Sequence, residues 1–129
     1  MKDFYLNLSS ISSVFKTNTA SEFSVAVRPE INLSGNWSVA LVEILLPKAT
    51  SLKPKYFLAS FIESSIVGET RRSVLRVIFN SNQHLNFNPE YIPVRDHLLD
   101  TLCFELVDDK GNIIPLTGET HIRLHFTKW

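Results

Sequence analysis

Short apolar segments rich in Phe, Val, Ile and Leu recur every 10 to 20 residues along this chain, and Ser, Asn, Pro, Gly or charged clusters cut each one short. That rhythm is the signature of many strands and few helices. FYLNL (4 to 8) and EFSVAVR (22 to 28) alternate, with Phe4, Leu6, Leu8 and Phe23, Val25, Val27 each on one face. WSVALVEILL (37 to 46) follows the turn signal Ser34-Gly35-Asn36 and stops at Pro47, which has no N–H to give to a ladder. YFLASFIE (56 to 63) and SVLRVIF (73 to 79) read as further strands, joined by the turn-like VGETRR. HLNFNPEYIPV (84 to 94) is extended but interrupted by Pro89 and Pro93, as suits a short or edge strand. TLCFELV (101 to 107) and THIRLHFTKW (120 to 129) complete the set, with Asp108-Asp109-Lys110-Gly111 and Gly118 supplying turns between them. RDHLLD (95 to 100) is the one plausible helical piece.

At 129 residues, one domain spanning 1 to 129 is expected, all-β, with about eight strands in an antiparallel sandwich. A jelly roll, an immunoglobulin-like sandwich and a small barrel all fit; the immunoglobulin form loses ground because no cysteine pair is present. The single Cys103 excludes an internal disulfide and a cysteine-cluster zinc site, and is expected as a small buried residue. Lys+Arg and Asp+Glu balance at 13 each, so the overall charge does not argue for nucleic acid or an anionic surface. No run approaches a membrane span, and MKDFYLNLSS lacks the apolar core of a signal peptide, so synthesis in the cytoplasm is expected.

Chemistry is sparse. His121 and His125 stand four apart, but on a strand that spacing separates them by about 13 Å and they cannot share one metal ion. Asp108-Asp109 lacks calcium-loop spacing, and no phosphate-binding glycine motif or nucleophile elbow is present, so no metal, cofactor or catalytic site is expected and the chain is read as a non-enzyme. Arg71-Arg72 reads as a solvated turn. Trp129 is either a tether into a neighbouring subunit or a plug for its own domain.

The blocks DFYLNLSS, EFSVAVRPEINLSGNWSVALVEILLP, FIESSIVGETRRSVLRVI, NPEYIPV and DTLCFELVDDKGNIIPLTGETHIRLHF, in that order, resemble a virion-protein family encoded by Polinton (Maverick) elements and the related adintoviruses. The likeness covers nearly the whole chain. It departs in a shorter stretch at 80 to 86 and in Leu116, where the family usually has Phe after the Asp-Gly turn. What the resemblance implies is a viral structural protein: a penton-like minor capsid protein, a single jelly roll, present in the virion as a homo-oligomer, expected as a pentamer, beside the major capsid protein of the same virus. A virion cement or surface protein, a host-captured copy, or a β-sandwich module that recognises a receptor or glycan is the alternative.

In a jelly roll the strands B to I form sheets B-I-D-G and C-H-E-F, making 37 to 46 the antiparallel neighbour of 120 to 129. Ile122, Leu124 and Phe126 are then expected inside, with His121, Arg123 and His125 outside. On 37 to 46, strict alternation puts the charge-free set Ala40, Val42, Ile44 and Leu46 inside and sends Trp37, Val39, Leu41, Glu43 and Leu45 outward. Glu43 is expected to pair with Arg123. An outward row this apolar calls for burial against another subunit, so Trp37, Val39, Leu41, Glu43, Arg123 and His125 are the expected subunit interface.

Overall fold

The computed structural model describes residues 3–11, 15–47, 54–67, 69–79 and 83–129, and all its regular elements are strands. The strands are β1 (Asp3–Ser9), β2 (Glu22–Asn32), β3 (Trp37–Leu45), β4 (Lys55–Ala59), β5 (Ser65–Val67), β6 (Thr70–Arg72), β7 (Val74–Ile78), β8 (His84–Asn86), β9 (Ile92–Pro93), β10 (Leu98–Val107) and β11 (His121–Lys128). They form one sheet in the order β1-β11-β3-β8, with β9 also on β3, a second in the order β2-β10-β4-β7, and a β5-β6 hairpin. Every pairing is antiparallel.

Among the described residues eleven strands thus stand where about eight were expected, because VGETRR contributes to a hairpin of its own and HLNFNPEYIPV breaks into two short pieces. The break falls where Pro89 cannot donate to a ladder. RDHLLD is not helical. Its Leu98-Leu99-Asp100 opens β10, where Leu99 is buried and sits opposite Ile31. One turn of helix carries too little local stabilisation to compete with a sheet that buries that leucine.

An aromatic relay joins the two main sheets. Phe104 of β10 stacks on Phe57 of β4 with ring centres 5.5 Å apart, and meets Phe23 of β2 at 5.2 Å. Phe61 then bridges the layers, lying edge-on to Phe104 at 5.9 Å and stacked on Phe126 of β11 at 5.8 Å. Phe126 in turn stacks on Phe4 of β1. Such ring pairs contribute about 0.5–1.5 kcal/mol each beyond the area they bury. The alternation expected for β11 holds: Ile122, Leu124 and Phe126 are buried.

Cys103, expected inside, is exposed on β10, with its sulfur 3.2 Å from the Ser24 hydroxyl oxygen. Leu102 and Phe104 on either side of it take the inward positions, so the period of two sends Cys103 out. Trp129 does not plug its own domain either. It is 72 % exposed, although its backbone N–H donates to the Asn36 carbonyl.

The turn after β10 is held by one side chain. Asp108 Oδ1 accepts the N–H groups of Lys110 and Asn112, both at 2.9 Å, and Gly111 completes the turn at a φ of 85°. The hydrogen bond from the Asn112 N–H, seconded by that from Lys110, lowers the Asp108 pKa below its ordinary value. A depressed folded-state pKa means that the ionised side chain supports the turn above the ordinary aspartate pKa, and that this support is lost as pH falls through the folded value. The expected result is that the Lys110 and Asn112 amide resonances hold their positions on acidification until below the usual aspartate range and then move together. An early transition, at or above that range, contradicts the bonding described.

Candidate functional site: the outer face of the β1-β11-β3-β8 sheet

The local cause of this face is a β-bulge. Arg123 is opposite Glu43 and the next residue, Leu124, is opposite Leu41, so Val42 is one extra residue on β3. An extra residue reverses which parity points inward. Before it, Trp37, Val39 and Leu41 face the core; after it, Ile44 and Leu46 do. The expectation that Trp37, Val39 and Leu41 face outward is therefore corrected: all three belong to the central cluster. Ala40 and Val42, expected inside, fall outside that cluster, although Ala40 is fully buried and Val42 half-buried. Glu43 and Leu45 do face outward, as does Arg123.

Glu43 and Arg123 are register partners, yet their charged ends go to other groups. The Glu43 carboxylate accepts a hydrogen bond from His84 Nε2 at 2.5 Å, on the far side of β3. The Arg123 guanidinium instead lies over the Tyr5 ring, 4.1 Å from its centre. The expected Glu43–Arg123 ion pair is thus replaced by a His84–Glu43 hydrogen bond and an Arg123–Tyr5 cation–π contact. Side-chain exposures of 53 % for His84 and 38 % for Glu43 keep this pair in high dielectric, where it is worth at most about 1 kcal/mol.

His125 ties the next part of the face together. Its Nε2 lies 3.1 Å from Asp3 Oδ2 and its Nδ1 lies 2.7 Å from the Tyr91 hydroxyl. The carboxylate can only accept, so Nε2 carries the proton, and in the neutral ring Nδ1 accepts from Tyr91. Tyr5 stacks on the same imidazole with ring centres 4.5 Å apart. Arg123, Tyr5, His125 and Tyr91 therefore form a continuous row across β1, β11 and the segment before β9. His121 and His125 keep separate partners, with His121 bonded to Glu119 at 3.0 Å. Among the described residues no three His, Cys, Asp or Glu side chains converge as a metal would need.

Beside the aromatic row lies a groove of about 490 Å³ lined by Asn7, Ser9, Glu43, His84, His121 and Arg123. The sheet thus brings together three of the six expected interface residues, Glu43, Arg123 and His125, and withdraws Trp37, Val39 and Leu41 into the core. Reading the sequence missed Tyr5, His84 and Tyr91. Tyr5 carried a signal, since FYLNL places it opposite to Phe4, Leu6 and Leu8. His84 and Tyr91 carried none, because they arrive through long-range pairing onto β3.

No protein-family model and no curated protein sequence matches the chain.

Proposed function

We propose that this chain is a single jelly-roll subunit of a virion, a penton-like minor capsid protein that closes into a homo-oligomeric ring, five-membered, and meets its neighbours through the outer face of the β1-β11-β3-β8 sheet. One observation carries the fold part of this reading. The strand orders β1-β11-β3-β8 and β2-β10-β4-β7 correspond to B-I-D-G and C-H-E-F when the eight strands of these two paths are lettered in sequence and the separate β5-β6 hairpin and the two-residue β9, which lies off the path, are set aside. The viral role rests on the family resemblance in the sequence. In a ring of like subunits two different patches must meet, and the Tyr5–Arg123–His125–Tyr91 row supplies the tyrosine and arginine side chains that dominate such contacts. The role proposed is structural, not catalytic, with the major capsid protein as the further partner.

A second reading is favoured by the groove beside Tyr5. The exposed Tyr5 ring lies under Arg123, which also lines a groove with Asn7, Glu43 and His84, and this combination also suits a virion surface module that recognises a glycan or receptor. Light scattering of the purified chain separates the two. A mass of five chains is the expected result, while a monomer at high concentration removes the ring and leaves the surface module.

A further inference from the structure

At the Trp37 end of the molecule, where β1 begins and β2 turns into β3, Phe4, Ile31, Leu33 and Trp37 line a cleft of about 420 Å³. Asn32, Ser34 and Lys128 complete its lining. The Phe4 and Trp37 rings are 5.4 Å apart and tilted by 55°, and Phe4 is backed by Phe126. The Trp37 indole N–H already donates to the Ser34 carbonyl at 3.0 Å, so its polar edge is satisfied within the chain.

Among the described residues that line this cleft Lys128 is the one cation, and the turn sets where it lies. Lys128 is the register partner of Trp37, and its stem runs against Gly35, where a Cβ would come within 2.8 Å of Lys128 Cε. Gly35 also has a φ of +91°, so the turn needs glycine for its backbone as well as for the room it leaves to Lys128. Among the described residues no carboxylate pairs with the Lys128 ammonium.

We propose that this cleft is a binding site for an amphipathic carboxylate: a small molecule with an apolar body and one carboxylate group. The aromatic and aliphatic walls take the body, and the ammonium of Lys128 takes the charge, which is the usual division between apolar lining and a few orienting polar groups in a ligand pocket. The cleft lies at the opposite end of β3 from the Glu43 groove, and the proposal is independent of the capsid reading.

The test is an NMR titration of the ¹⁵N-labelled chain with sodium octanoate, using 1-octanol as the uncharged counterpart. The chain has two tryptophans, and Trp129→Phe identifies which indole N–H resonance belongs to Trp37. Octanoate is expected to shift the Trp37 indole resonance saturably while that of Trp129 moves little. Lys128→Gln, an exposed substitution, is expected to weaken octanoate about fivefold and leave octanol unchanged, as for a partly solvated ion pair. The proposal is overturned if no saturable shift occurs by roughly ten millimolar octanoate, if both indoles shift alike, or if Lys128→Gln binds octanoate as tightly as the wild type.

Discussion

Leu41→Ala is expected to destabilise the isolated chain by about 2–5 kcal/mol, and Leu41→Asp to prevent folding. Leu41 is 0 % exposed, and the bulge at Val42 aims it into the cluster that holds Trp37, Val39, Leu124 and Phe126. Removing three carbons there forfeits their transfer from water and leaves a cavity that close-packed neighbours fill only in part. A domain of this size holds about 5–15 kcal/mol in all, so the alanine variant loses a large share and a buried, unpaired carboxylate exceeds what remains. Urea unfolding checks it through a lower midpoint at unchanged slope. Had Leu41 faced a neighbouring subunit, the isolated chain would tolerate both substitutions within about 0.5 kcal/mol. A folded, stable Leu41→Asp monomer therefore rules out the bulged register.

The opposite outcome is expected at Arg123. Arg123→Glu should leave the far-ultraviolet circular dichroism and the melting temperature close to wild type, because the side chain is exposed and its Tyr5 contact is worth about 0.5–1 kcal/mol. Association should fall by thirtyfold or more, on the order of the 2 kcal/mol that marks a central interface residue. The new carboxylate, directly across from Glu43 in the same chain, costs at most about 0.2–1 kcal/mol of fold stability, a shift of a few degrees that leaves the chain folded. Sedimentation velocity at matched concentrations reads the result. Wild-type association by this variant excludes the outer face as the subunit contact, even if the chain proves oligomeric.

The two variants divide what could be foreseen from what could not. Elements with a strong local pattern were legible. Phe23 and Val25 of β2, and Ile122, Leu124 and Phe126 of β11, alternate without interruption, and all are buried as the period of two demands. The Asp108-to-Gly111 turn was legible for the same local reason, since an aspartate that caps nearby N–H groups and a glycine at positive φ act over a few residues. Leu98 to Asp100 was not, because its extended form comes from pairing with a strand more than sixty residues away.

WSVALVEILLP held a conflict that alternation could not resolve. A strict period of two must either bury Glu43 with Trp37, Val39 and Leu41 or send all four outward, and the charge made the second choice look forced. The bulge removes the conflict by burying the large apolar residues before Val42 and releasing the carboxylate after it. A hint lay in the sequence, where Ser38 and Ala40 are the small partners of large Trp37, Val39 and Leu41. The extra residue itself shows only once β11 is laid against β3, because a bulge is a mismatch between two strands and neither strand encodes it alone. The amino-acid order was enough to mark the long strands, the turns and the inward face of β11, all of which follow from contacts within a few residues. Three-dimensional pairing was needed to choose the inward face of β3 and to send Glu43 to His84 and Arg123 to Tyr5, since those outcomes depend on which distant side chains share a sheet.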